Sequence, residues 1–444
     1  MNKVIRINDK IKPFNKTINI DGDKSLSIRF AILASLAEGK SRAFNLLKSE
    51  DVLNTLNCLK KLGIKIIVKK NYCEIFGKGL NGYFYKNNLT LNAGNSGTAA
   101  RLLSTAALNS PKFIRITGDN SLKKRDMKRI IKPLEKFGAQ FKKNKGTLPL
   151  FIKGSNRLKP IKFSENLGSA QVKSVILISA LLSSNKITIL KCKPSRTHTE
   201  LLFKYLKIPI TIKKTNKFDY IKIKGKKSFK GFNYKIPGDI SSASFLIVLT
   251  LLSKNSKLTI KNINVNPSRT GIITILNKMG ATIKLKNKKI YKGENTADIF
   301  IKSINNLKAI NLPKNFNNST AIDEFNLIFL CAALAKGVST FQGLLELQSK
   351  ESKRLDWGFK MLKMIGIKSK KIGNHGIRIW GNPNLKLNKN YIIKDYLKDH
   401  RIAMSSIVLA LTLGGNFKIY NPDSIKTSFP SFKRIIKNLG GKIN

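Results

Sequence analysis

Residues 238 to 252 read GDISSASFLIVLTLL. A glycine, an aspartate and three serines lead into a run in which Thr250 is the one polar residue. Short polar side chains suit the start of a helix, because they accept hydrogen bonds from N–H groups that the first turn leaves unpaired. The run that follows is apolar on every face, and a helix of that kind is buried on all sides. The arrangement recurs five more times: GDKSLSIRFAILASLA from Gly22, GNSGTAARLLSTAAL from Gly94, GSAQVKSVILISALL from Gly168, IDEFNLIFLCAALA from Ile322 and DHRIAMSSIVLALTL from Asp399. Successive starts lie 70 to 84 residues apart, and one sixth of the 444-residue chain is 74. So regular a period marks internal repetition, which sets the architecture before any single motif does.

Each repeat also carries a second, more polar helix. Five of these end in a glycine (Gly63, Gly138, Gly280, Gly366 and Gly440), which supplies the left-handed residue of a helix C-terminal cap. The third repeat has Pro209 after its helix instead. Short β-branched stretches such as FIRITG, KITILKC and SKLTIKNI stand between the helices and read as strands. Each unit is therefore expected to be β-α-β-α-β-β, with the apolar helix inside and the charged-faced helix outside. Three units per domain place the crossover near Pro237 and Gly238. Residues 22–237 form one domain, and residues 1–21 with 238–444 form the other.

The bulk numbers agree with an α/β chain of this size. A hydrophobic content of 42% excludes a disordered chain. The first 20 residues contain no continuous apolar stretch, so no secretory signal is expected. The longest apolar runs fall short of the roughly 18 residues that a membrane span needs. Cys58, Cys73, Cys192 and Cys331 are scattered without a CxxC spacing, which fits a reduced, cytoplasmic protein. The three histidines, His198, His375 and His400, lie far apart, which argues against a structural zinc site. The 84 basic and 24 acidic residues leave a net charge of +60. Such a charge suits a polyanionic partner. The lysines are spread along the chain, however, and accompany an excess of Asn and Ile, as AT-rich codon usage would produce.

The polar clusters stand at helix N-termini, where free N–H groups and the helix dipole favour anions. Their side chains suit the same ligands. Lys24, Ser25 and Arg29 open the first helix, with Ser25 and Arg29 four apart on one face. Gly97 allows the backbone to come close to a ligand, and Arg101 stands one turn behind it. Ser169 and Gln171 open the third helix, and Arg196 follows in PSRTHTE. Arg125 lies in a loop before a helix. In the second half, Asp323 opens an apolar helix, Lys350, Glu351 and Arg354 are expected on one helical turn, and Arg401 follows in DHR. Several arginines, two lysines and two acids describe a site for a substrate with several negative charges. Arg269, in NPSRTG, reads as a turn and helix start.

These stretches resemble the 5-enolpyruvylshikimate-3-phosphate synthases, the enolpyruvyl transferases of the shikimate pathway. The resemblance covers essentially the whole chain. It rests on DGDKSLSIR, AGNSGTAAR, GDNSLKKRDM, GSAQVKS, SRTHTE, PGDISSASF, IDEF, KESKRL, DHRIAMS and TSFPSF, in that order. It implies two inside-out α/β barrels of three units each that close over the substrates, with the active site in the interdomain cleft. It implies transfer of the enolpyruvyl group of phosphoenolpyruvate to the 5-hydroxyl of shikimate 3-phosphate, with release of phosphate. No metal or organic cofactor is implied. The expected partners are these small anionic substrates, with no specific nucleic acid, no membrane and a monomeric state.

Carried over residue by residue, Ser25 and Arg29 would hold the shikimate carboxylate. Ser169, Arg196 and Lys350 would hold its phosphate, with Ala170 nearby and Gln171 under the ring. Gly97, Arg125 and Gln171 would face the phosphoenolpyruvate phosphate, and Arg354 and Arg401 its carboxylate. Lys24 would touch both substrates. Asp323 would act as base at the hydroxyl and Glu351 as acid at the methylene carbon, with Lys24 as the rival proton donor. Glu351 stands between Lys350 and Arg354, which favour its ionised form, so it is expected to take up a proton only when the anionic substrates are bound. Asp126 departs from a frequent proline, and Thr427 from a phosphate-contacting lysine of some relatives, with Lys426 beside it. Gly97 is small where some tolerant relatives carry alanine, which implies sensitivity to glyphosate. The alternatives are the related transferase acting on UDP-N-acetylglucosamine, which uses a loop cysteine, and a basic nucleic-acid-binding protein.

Overall fold

The computed structural model describes residues 3–143, 145–155, 157–313 and 316–444. The six apolar runs form helices α1 (Lys24–Leu36), α2 (Gly97–Leu103), α3 (Ala170–Leu182), α4 (Ile240–Leu252), α5 (Phe325–Ala333) and α6 (His400–Leu413). A 3₁₀ turn, Ser104–Ala107, continues α2. Every residue of α1 from Leu26 onward is buried, as is every residue of α4 from Ile240 to Leu251. Polar residues that precede the apolar runs cap five of these helices. Asp23 accepts from the Leu26 amide at 2.8 Å, and Ser96, Ser169, Asp239 and Asp399 cap α2, α3, α4 and α6 in the same way. α5 starts without a side-chain cap.

The second helix of each unit is one-sided. In Lys128–Phe137 the buried residues are Ile130, Pro133, Leu134 and Phe137, a stripe at helical spacing. Gly63, Gly138, Gly280, Gly366 and Gly440 all take left-handed backbone after these helices, with φ between 76° and 110°. The third repeat uses Lys207, at φ 55°, for the same turn. That is an uncommon place for a residue with a side chain.

Each unit contributes one small sheet. In the second unit Leu89–Asn92 pairs in parallel with Ile114–Thr117, which pairs antiparallel with Leu150–Lys153. Two sheets borrow their first strand from a distant part of the chain. Asn233–Lys235 lies parallel to Glu38–Phe44 and leads the first unit. Asn15–Ile18 lies parallel to Lys257–Asn264 and leads the fourth. In the sixth unit Val4–Ile7 pairs antiparallel with Asn416–Tyr420, in a sheet that has three strands among the described residues where the other five have four.

The chain divides into two compact units. The first comprises Met1–Asp21, Pro237–Ile290 and Asn295–Asn444, and the second Gly22–Ile236 with Tyr291–Glu294. A division at residue 238 assigns the last four residues to the other half. They belong to the second unit because of what they touch. Glu294 is fully buried and sits 2.7 Å from His198 Nδ1, and the Tyr291 hydroxyl accepts from the Lys235 amide at 2.9 Å. Each unit has its own apolar core. Phe325, Phe329 and Phe341 pack ring against ring in the first, and Phe30, Phe232 and Tyr234 in the second.

All four cysteines are buried and free. Burial pushes the thiols of Cys58 and Cys73 up to about 11, and those of Cys192 and Cys331 up to about 12. They remain protonated at neutral pH and are poor nucleophiles. Among the described residues no helix is long and apolar enough to cross a membrane.

Candidate active site

Three helix starts come together in the second unit, each with its polar side chains held from behind. Arg29 lies one turn along α1 from Ser25 and donates to the Ser25 carbonyl at 3.1 Å. Its Nε donates to Thr199 Oγ1 at 2.8 Å, and its Nη2 to Ser174 Oγ at 2.7 Å. The guanidinium is thereby aimed, and it is 3% exposed. Lys24 opens the same helix and reaches Asp51 Oδ2 at 3.0 Å.

Gly97 begins α2 under two guanidiniums. A Cβ there would lie 2.9 Å from Arg101 Nη1 and 3.2 Å from Arg125 Nη1. Small residues are needed because arginines crowd the backbone from the side on which an anion would sit. Arg125 Nη2 donates to Asn95 Oδ1 at 3.0 Å, and Asn95 Nδ2 donates to Asp119 Oδ2 at 2.6 Å. Arg101 links three segments. It donates to Gln171 Oε1 at 2.5 Å, to the Asp126 carbonyl at 2.8 Å and to the Gly97 carbonyl at 3.4 Å. Gln171 Nε2 in turn donates to Thr98 Oγ1 at 2.9 Å. The starts of α2 and α3 and the Arg125 loop are thus one hydrogen-bonded assembly. Ser169 caps α3, Ala170 is its first residue, and Arg196 is half-buried in the loop before the helix His198–Tyr205. Asp126 accepts from the Lys128 amide at 2.8 Å, so it serves the following helix as a proline could not.

Gly97→Ala places a methyl against two movable side-chain ends rather than against backbone. The expected result is a folded protein in which the Arg101 and Arg125 guanidiniums shift away from the methyl. Thermal melting and the structure of the variant check this, and unmoved guanidiniums would contradict it.

The first unit assembles a different chemistry. Asp323 lies two residues before α5. Its Oδ1 is 3.0 Å from Arg354 Nη1 and 3.6 Å from Lys350 Nζ, and its Oδ2 is 3.9 Å from Arg401 Nη2. Lys350 also pairs with Glu346 at 2.7 Å, and Arg401 lies 3.7 Å from Glu324. Arg354 is a hub. It donates to Asp399 Oδ2 at 2.9 Å, to Asp323, and to Glu351 through a short contact. Burial alone would lower the Arg354 pKa, but Asp399, Glu351 and Asp323 together push it well above its usual value. One sequence expectation needs correction. Lys350 and Glu351 are not on a helical turn with Arg354, because the helix Arg354–Met364 starts only at the arginine. A bend over residues 350–352 brings Glu351 back to it.

A second correction concerns the Gly238 cluster. The start of α4 is not open to a ligand. Arg269 Nη2 donates to Asp239 Oδ1 at 2.9 Å and to Ser241 Oγ at 2.7 Å, and all three residues are buried. The chain's own guanidinium already pairs with two of the polar side chains that open this helix. Lys426, beside the departure at Thr427, is 58% exposed and pairs with Asp423 at 3.5 Å. Thr427 Oγ1 lies 3.2 Å from His400 Nδ1. Sequence reasoning passed over Asp399, which anchors Arg354, although it stood inside the DHR motif. It also passed over Asp51, Ser174 and Thr199; the last two stand inside GSAQVKS and SRTHTE, but nothing in those motifs pairs them with Arg29.

The comparisons with known proteins decide the family. From residue 8 to residue 436 the chain matches the family EPSP synthase (3-phosphoshikimate 1-carboxyvinyltransferase). The chain belongs to the EPSP synthase family. It is 38% identical over 429 residues to the 3-phosphoshikimate 1-carboxyvinyltransferase of Petrotoga mobilis, covering 96% of this chain and 97% of that one. It is 39% identical over 427 residues to the corresponding protein of a Thermoanaerobacter species, covering 95% and 97%. The solved structure of EPSP synthase from Acinetobacter baumannii superposes with a TM-score of 0.86 at 34% identity, over 100% of this chain and 99% of that one. The enolpyruvyl transferase NikO from Streptomyces tendae shares the fold, with a TM-score of 0.74 at 12% identity and coverage of 99% and 98%. Membership of the EPSP synthase family makes the reaction enolpyruvyl transfer from phosphoenolpyruvate to shikimate 3-phosphate. The sugar-nucleotide and nucleic-acid alternatives are not favoured.

Proposed function

We propose that the second unit supplies most of the anion-binding side chains for this reaction, and that the first supplies Lys350, Arg354 and Arg401 for the remaining anionic groups together with the proton carriers Asp323 and Glu351. The observation that carries the reading is the contrast between the sets. Around α1, α2 and α3 stand Lys24, Arg29, Arg101, Arg125 and Arg196, presented at helix starts that favour anions. Around Arg354 stand Asp323, Glu351 and Asp399. The substrates bring two carboxylates and two phosphates, roughly five negative charges, most of which the first set would meet. The chemistry needs two proton carriers, which the second supplies.

Ser25 and Arg29 hold the shikimate carboxylate. Ser169, Arg196 and Lys350 hold its phosphate, and Ala170 and Gln171 line the ring. Gly97, Arg125 and Gln171 meet the phosphoenolpyruvate phosphate, Lys24 serves both substrates, and Arg354 and Arg401 take the phosphoenolpyruvate carboxylate. In the addition step Asp323 accepts the proton of the 5-hydroxyl while its oxygen bonds to C2 of phosphoenolpyruvate. Glu351 delivers a proton to C3. In the elimination step a C3 proton returns to Glu351, the C2–O bond to phosphate breaks, and the proton held by Asp323 leaves with the phosphate, which restores both carboxyl groups to their starting states.

The position of Arg354 constrains the order of events. It is 2% exposed and already holds three carboxylates. Of these Glu351 is the most exposed, at 17% against 13% for Asp323 and none for Asp399. A ligand carboxylate reaches Arg354 by taking the place of Glu351. Glu351 then loses its cation and faces an added negative charge. Both changes raise a carboxyl pKa and turn a carboxylate into a usable acid.

The binding assignment is tested by Arg29→Ala. Loss of a buried, charge-assisted contact to the carboxylate should raise the Kd for shikimate 3-phosphate by about ten- to a hundred-fold. Calorimetric titration of the folded variant checks this, and a Kd unchanged within about two-fold would remove Arg29 from the site.

A further inference from the structure

Lys173 has no place in the reaction as assigned, yet its side chain is fully buried. It lies one turn along α3 from Ser169, and its Nζ is 2.6 Å from Glu200 Oε1, which is 2% exposed. The same Nζ donates to the backbone carbonyl of Ser195 at 3.3 Å. Ser195 is the residue before Arg196. Burying a lysine and a glutamate is unfavourable unless each is matched, and an apolar pair of similar size would fill the space at no such cost. What an apolar pair cannot do is grip one backbone oxygen.

The elements that this pair joins carry the two halves of one proposed binding group. Ser169 stands at the start of α3, and Arg196 lies in the loop before the helix His198–Tyr205. The neighbouring residues show the same division of labour. Ser174 and Thr199, next to Lys173 and Glu200 in sequence, hold Arg29 from the same two helices. Glu165 fixes the approach to Ser169 by accepting from the amides of Leu167 at 3.0 Å and Gly168 at 2.8 Å. The loop after it is held by Lys193 N donating to the Glu165 carbonyl at 3.1 Å. Asp219 lies within electrostatic reach of Lys173 and Glu200.

We propose that the buried Lys173–Glu200 pair is a positioning device for the substrate phosphate, setting the Arg196 loop against the α3 N-terminus through the Ser195 carbonyl. The proposal rests on the reading that Ser169 and Arg196 hold the phosphate of shikimate 3-phosphate. Lys173 and Glu200 touch no substrate and act through Arg196.

The single variants leave one buried charge unmatched, so the test uses the neutral, size-matched pair Lys173→Met with Glu200→Gln. Circular dichroism and thermal melting establish that it is folded. The dissociation constant for shikimate 3-phosphate is then measured in the parent, the pair variant, Arg196→Ala and the combination of all three. The expected result is about a ten-fold weaker affinity in the pair variant, with KM for phosphoenolpyruvate within about two-fold of the parent. In the Arg196→Ala background the pair should add less than about two-fold, because its effect passes through that arginine. An undiminished effect in that background, or equal losses for both substrates, would overturn the positioning role and leave the functional reading intact. A parent protein that does not bind shikimate 3-phosphate would overturn both.

Discussion

Asp323→Ala should lower kcat by about 10²- to 10⁴-fold, the usual loss when a positioned general base is removed. The KM for shikimate 3-phosphate should change by less than about ten-fold, because Ser25, Arg29, Ser169 and Arg196 are untouched and only Lys350, 3.6 Å from Asp323, loses a neighbour. Such a split between rate and binding marks a group that acts in the transition state. Asp323 is held by Arg354 at 3.0 Å, with Lys350 at 3.6 Å and Arg401 at 3.9 Å. Its removal therefore also leaves cations under-neutralised. Asp323→Asn separates the two effects, since it keeps the shape and a hydrogen-bond acceptor for Arg354 but cannot take a proton. Both variants should be equally slow. An active Asp323→Asn enzyme would assign the residue to holding Arg354 and move the base elsewhere.

Glu351→Gln should produce a loss of similar size, about 10²- to 10⁴-fold in kcat, with a different signature. The amide still reaches Arg354, so the hub survives, but it has no proton to give to C3. The limb of the pH–rate profile that reports the acid should disappear. If Lys24 is the donor instead, the variant will keep the parent's profile in height and shape. The displacement of Glu351 by the phosphoenolpyruvate carboxylate adds a second mark. In the parent, binding of phosphoenolpyruvate to the enzyme–shikimate 3-phosphate complex should be accompanied by proton uptake at neutral pH, and in Glu351→Gln that uptake should be lost. Titration in buffers of different ionisation enthalpy measures it.

The repeat and the buried helices could be read from the chain because their cause is local. A helix that is apolar all round, with a short polar residue ahead of it, has one favourable environment, and six copies at a steady period leave few architectures. The left-handed glycines are local in the same sense. Lys207 was not foreseen, because nothing in a lysine announces a positive φ. The residues proposed for the site were legible as far as they lay in the polar clusters themselves, from Lys24, Ser25 and Arg29 through to Arg401. What lay outside the reach of sequence was the partnering. That Arg269 fills the start of α4, or that Asp399 and not solvent faces Arg354, depends on contacts 30 and 45 residues apart in sequence. The Lys173–Glu200 pair lay outside that reach for the same reason: both residues stand inside quoted motifs, GSAQVKS and SRTHTE, but nothing in either motif says that the two meet.

In the proposed mechanism this chain moves the enolpyruvyl group between two anionic substrates by acid–base chemistry at Asp323. Its most direct test is phosphate release by the purified protein given phosphoenolpyruvate, with and without shikimate 3-phosphate. Release is expected to require both substrates and to fall to background in Asp323→Ala. Release from phosphoenolpyruvate alone, or none with both present and the parent folded, would contradict it.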